Sequence, residues 1–122
     1  MAEGWGPSGS GTALDALAAG YTWTQLHTAA PCAAGTTSVA TETTRKQNTW
    51  PATGTDGIIT NSAALTWTNI AGSQDATHFT NWSASSAGNF GFSGTITANA
   101  YVAGDTYDIA IGALTVSVTL AS

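Results

Sequence analysis

The chain has 122 residues, a net charge of −5 and only 7% charged residues, against roughly 25% in an average soluble domain. Its two Lys/Arg side chains, Arg45 and Lys46, are too few to neutralise a phosphate backbone or an anionic lipid surface, which argues against nucleic-acid and membrane partners. The single cysteine, Cys32, cannot form an intramolecular disulfide and leaves the redox compartment unread.

The length predicts one domain that buries a core without disulfides or metals. Met1 to Gly11 shows no basic and then apolar run of the signal-peptide kind, and nothing approaches the length of a membrane span. The first eleven residues carry Gly4, Gly6, Pro7, Gly9 and Gly11 and read as an arm that is flexible alone or ordered against a partner. Trp5 in this arm has no local core to enter, so it docks either on a neighbouring molecule or on its own domain. Thr12 to Gly20 predicts a short helix, with Thr12 and Asp15 as a capping pair, Leu14 and Leu17 on one face, and Gly20 as the stop. Two turns are marginal alone, so that face must pack on a sheet.

From Tyr21 the period changes to two. The predicted strands run 21–27, 45–50, 58–61, 63–70, 77–84, 88–97, 106–111 and 114–120, separated by Pro31, the Thr-rich stretch 32–44, Pro51 with the turn cluster 53–57, and the tight turn Ala103-Gly-Asp105. In the strand 77–84, Phe79 points to one face and His78 with Trp82 to the other. Gly91 and Gly94 signal a bulge or a close backbone approach. Leu114, Val116, Val118 and Leu120 alternate with Thr115, Ser117 and Thr119 as a half-buried strand. Short strands at this spacing predict an all-β antiparallel sandwich, jelly-roll-like, over residues 12–122, preceded by the arm 1–11. The solvent positions are Thr and Ser rather than charged gatekeepers, so edges and faces are expected to be covered in an oligomer or a larger particle; the alternative is that Thr is simply a soluble β-former.

Little here can do acid–base chemistry. His27 and His78 are the only imidazoles, and with Cys32 they make no metal-ligand spacing. A Cys32/His78 nucleophile pair lacks a third positioned group. No Gly-x-Ser-x-Gly elbow occurs. Asp105 with Asp108, or Asp56 with Asp75, are the only carboxylate pairs on offer, and Asp105 reads as a turn residue. Asp105 and Asp108 fall short of the dense oxygen spacing of a calcium loop. No catalytic, cofactor or metal residues are therefore assigned, and no enzyme is expected. Asn81-Trp-Ser83 matches a glycosylation sequon by chance length alone. The five tryptophans weigh more. Trp23, Trp67 and Trp82 are expected to fill the core, while Trp50, beside Pro51, is open between core and a surface that stacks on a glycan.

Several pieces in order carry a resemblance: Trp23-Thr-Gln-Leu-His-Thr28 with Pro31 and Gly35; Thr44-Arg45 with Trp50; Asn61-Ser62 before Leu65-Thr-Trp-Thr-Asn69; Thr77-His-Phe79 with Trp82; Gly88-Asn-Phe90; Phe92-Ser-Gly94; Ala103-Gly-Asp105; and Leu114-Thr-Val116. Over residues 21–120 the chain resembles small virion proteins of tailed phages of actinobacteria, labelled tail fibre, minor tail, or head-fibre and decoration proteins. The resemblance implies a non-enzymatic structural role on the virion surface and supplies no catalytic residues. The chain departs from it at Cys32, where a turn glycine is expected, and in the arm before Thr12. The resulting expectation is a capsid decoration or head-fibre protein that binds the major capsid protein as a homo-oligomer, a trimer fitting local three-fold positions. Trp5, Pro7, Leu14 and Trp50 are its candidate partner-binding residues. The alternatives are a tail-fibre or minor tail protein that contacts the host envelope, and a carbohydrate-binding module that takes a host glycan.

Overall fold

A computed structural model describes residues 4–50 and 58–117, without the side chains of 97–99 and 116–117. One helix, α1 (Pro7–Gly20), precedes eight strands: β1 (Trp23–His27), β2 (Lys46–Gln47), β3 (Ile58–Thr60), β4 (Leu65–Trp67), β5 (Gln74–Trp82), β6 (Phe90–Tyr101), β7 (Tyr107–Ile109) and β8 (Thr115–Ser117). Each predicted strand segment overlaps one of them, but β5 begins three residues before the expected Thr77 and β6 runs four residues past the expected Thr97. The turn cluster 53–57, Asp56 within it, and the end of the last strand, Val118 to Leu120, lie outside the described residues.

The helix starts five residues before the expected Thr12. Pro7 presets the helical φ of the first turn, and the Ser10 hydroxyl donates to the Pro7 carbonyl at 2.8 Å. Thr12 is therefore inside the helix, donating to the Ser8 carbonyl, and the N-cap is Gly6, which makes no side-chain cap bond. The reading of residues 7–11 as an irregular arm is corrected: Ser10, Gly11 and Leu14 are buried, so packing on the domain overrides the poor helix propensity of glycine. The helix ends at Gly20 as expected, where the Tyr21 N–H bonds the Leu17 carbonyl.

The strands form an all-β antiparallel sandwich. One sheet has the order β2-β1-β5-β6, and β3 with β8 and β4 with β7 form two-stranded sheets. All pairings are antiparallel. Period-two alternation sets which side chains meet. Leu65 faces Ile109 and Trp67 faces Tyr107 across β4–β7, while Thr66 and Asp108 between them are solvent-exposed. These four apolar residues join Leu14, Leu26, Ile59, Phe79 and Leu114 in one core. The two glycines in β6 act as the sequence indicated. A register shift occurs where Asn81 and Trp82 face Phe92 and Phe90, which places Gly91 in a bulge. At Gly94 a Cβ would stand 2.7 Å from the Phe79 ring, so only a bare backbone lets that ring fill the core.

With few charges available, polar side chains hold the loops. Asn61 is 1% exposed. Its amide nitrogen donates to the carbonyls of Ala63 at 2.9 Å and Ala110 at 3.0 Å, and its oxygen accepts the Leu114 N–H at 2.9 Å. The loop after β3 is thereby locked to the β7–β8 connection. Glu42, also buried, accepts the backbone N–H groups of Thr44 and Ala71 and joins the loop before β2 to the β4–β5 connection. Loss of the Asn61 side chain removes three hydrogen bonds and leaves the buried Leu114 amide without its acceptor. Asn61→Ala is expected to lower unfolding free energy by about 3 kcal/mol at ~1 kcal/mol per bond, read from denaturant midpoints. The Tyr101 hydroxyl is buried with no hydrogen-bond partner among the described residues; Tyr101→Phe, which removes that group, is expected to leave the melting temperature unchanged or raise it.

Candidate functional site

The two histidines are spent inside the fold. His27, on β1, is fully buried. Its Nδ1 lies 2.9 Å from the Thr37 carbonyl and its Nε2 lies 2.9 Å from Thr80 Oγ1. A carbonyl only accepts, so Nδ1 carries the proton and Nε2 accepts from the Thr80 hydroxyl. The same hydroxyl oxygen accepts the Trp82 indole N–H at 2.8 Å. Each partner's role is thus fixed, and the imidazole is neutral. Burial holds the His27 pKa below its ordinary 6.5, partly offset by the Thr37 carbonyl and reinforced by nearby His78. His78 bonds the Thr77 hydroxyl through Nδ1.

Cys32 is exposed in the loop after β1. Hydrogen bonds from the Thr37 side chain and from the backbone at Ala34 and Thr36 favour the thiolate and lower its pKa to about 6. Both ring nitrogens of His27 are already engaged, so His27 is no base for this thiol. Asp105 accepts the Val102 N–H and closes the turn that the sequence indicated. Among the described residues no three His, Cys, Asp or Glu side chains come together as metal ligands. Asn81 of the sequon is fully buried in β5, bonded to the Thr24 hydroxyl and the Tyr21 carbonyl; a glycan has no access to it.

The aromatics divide sharply. Trp67 and Trp82 are buried, as expected, and Trp23 is half-buried. Trp50 packs inside the core with its ring centre 5.9 Å from that of Phe92, so it is not a surface platform for a sugar. Leu14 is 0% exposed and belongs to the same core; its side chain faces the domain, not a partner. Pro7 and Trp5 are exposed, and Trp5, at 47%, is the exposed tryptophan among the described residues. It stands between Gly4 and Gly6, directly before the helix whose inner side is seated in the domain.

One role was not legible in the sequence. Arg45 donates to the carbonyls of Ala84 at 2.9 Å and Ala87 at 2.7 Å, and its guanidinium lies 4.2 Å over the Trp82 ring. One of the two cations is therefore a clamp on the β5–β6 turn rather than a ligand for an anion. An aromatic-rich chain with so few cations hints at such stacking, but nothing local to Arg45 names Trp82 as its partner.

The described surface is thus one of neutral hydroxyls, a few carboxylates and four exposed large apolar side chains, Trp5, Ile58, Val102 and Ile111, on a sandwich whose buried imidazole serves its own packing. Such a composition is in keeping with a structural protein. The chain belongs to the family of the podophage GP4 fiber I protein gp80, whose family model matches residues 11–117. The family is one of phage fibre structural proteins and not of known enzymes. No curated protein matches the chain. No helix among the described residues is long and apolar enough to cross a membrane.

The His27 geometry sets a pH dependence. The unfolded chain takes up this proton below about pH 6.5 while the folded chain resists it, so the contribution is complete above that value and declines as pH falls towards the depressed folded pKa. Melting temperature is expected to fall from about pH 7 to about pH 5, with a smaller slope in His27→Gln.

Proposed function

We propose that this fibre-family protein sits on the outside of the phage head as a decoration or head-fibre subunit, attached to the major capsid protein through Trp5. The observation that carries this reading is the placement of Trp5. Buried residues Ser10, Gly11 and Leu14 anchor the helix to the domain, Pro7 stiffens its start, and the indole is left outside at a defined position. Aromatic anchors of this kind supply a large share of interface energy because they bury much area at low entropic cost. A small domain with little beyond such an anchor suits repeated placement on a lattice. A tail position remains the competing reading within the same family.

Copy number separates the two. Quantitative mass spectrometry of purified particles is expected to give copies at a fixed fraction of the major capsid protein. A handful per particle would move the protein to the tail, and none would overturn the virion reading. For attachment the informative variant is Trp5→Ala, since cutting away residues 2–11 would also remove the first turn of α1. Trp5→Ala is expected to change stability by less than about 0.5 kcal/mol and to reduce particle incorporation by about tenfold or more. Incorporation at the unmodified level would exclude the Trp5 mechanism.

A further inference from the structure

The four-stranded sheet has two edges of opposite character. At one edge is β2, two residues long, and the chain's two cations, Arg45 and Lys46, lie at it. Charged side chains and short length are the usual protections of an edge. At the other edge is β6, twelve residues long, with the sequence FGFSGTITANAY. It contains no charged residue and no proline. Among the described residues, no strand pairs with its outer side.

The hydrogen-bond register says which groups face outward there. The Thr22 and Leu26 carbonyls bond the N–H groups of Asn48 and Ala40, and the Thr28 N–H bonds the Ser38 carbonyl. Even-numbered residues of β1 thus point towards the β2 side, and Trp23, Gln25 and His27 point towards β5. Their partners are Trp82, Thr80 and His78, so Phe79 and Asn81 point towards β6 and engage Gly94 and Phe92. By strand alternation the N–H and C=O groups of Ser93 and Thr95 face away from the sheet. Both side chains are exposed.

We propose that the β6 edge is an interface with a second copy of this chain, the two β6 strands pairing antiparallel about a two-fold axis centred near Thr95. Two observations select this occupant. Every copy carries a net charge of −5, so copies approach best where the surface is uncharged, and β6 is the longest uncharged strand. An antiparallel β6–β6 pair is also self-complementary: each copy offers the outward donors and acceptors that the other lacks. The contact generates dimers, not the three-fold assembly that the sequence suggested. It is read on purified protein, so its failure leaves the virion assignment, which is read on particles, untouched.

The test uses the full chain in sedimentation velocity up to millimolar concentration, with circular dichroism as the folding control. The unmodified protein is expected to be a dimer, with the Ser93 and Thr95 amides protected from hydrogen exchange in a concentration-dependent way. Thr95→Pro removes an outward N–H, and Thr95→Lys places a charge at the edge while keeping the backbone intact. Both variants are expected to sediment as folded monomers; if Thr95→Pro does not fold, Thr95→Lys alone decides. A monomeric unmodified protein, a trimer, or a dimer that survives Thr95→Lys would overturn the proposal.

Discussion

One buried hydroxyl ties the central strands to the loop that covers them. Thr80 lies on the central strand β5, fully buried, and its oxygen accepts from the Trp82 indole while its proton goes to His27 Nε2. His27 in turn holds the Thr37 carbonyl. This chain of bonds lets the side of the sheet turned away from the main core be buried as well, because every polar atom in it has a partner. The loop before β2 covers that side: Gln25 reaches the Thr43 carbonyl, and Gly35 lies flat on the Phe90 ring, where a Cβ would come within 2.7 Å. The Thr-rich stretch 32–44, which carries no helix or strand of its own, is thereby a structural layer rather than a spacer.

That arrangement explains how a domain with so few charges is organised. Three polar side chains are turned to bridge backbone segments: Glu42 and Asn61 between loops, Arg45 between the residues before β2 and the β5–β6 turn. Each replaces an apolar contact that short strands cannot supply. The described exterior is left to Thr, Ser, Ala, a few aspartates and the apolar side chains of Trp5, Ile58, Val102 and Ile111, with low net repulsion over broad areas. A surface with few charges is in keeping with a fibre-family protein, and under the proposed attachment recognition falls to Trp5.

The order and type of the strands were legible in the sequence because they rest on local chemistry. Alternation in Leu65-Thr-Trp67, the glycines at 91 and 94, and the Ala103-Gly-Asp105 turn each act within a few residues. The helix start was not legible, because Ser10 and Gly11 are poor helix formers whose burial in the folded domain is not visible in local propensity. Leu14 and Trp50 misled as partner-binding candidates for the same reason: an apolar residue on one face of a short helix, or beside Pro51, is equally suited to a core or to an interface, and neighbours far along the chain decide which.

The sequence by itself determined that this is a weakly charged all-β protein without a recognisable reaction centre, since composition and period-two patterning are properties of the chain alone. Only the tertiary structure decided that His27 is a neutral packing element, that Arg45 serves Trp82, and that β2 and β6 are unequal edges. Those are pairings across dozens of residues, set by strand register and by the cost of leaving a buried polar group without a partner.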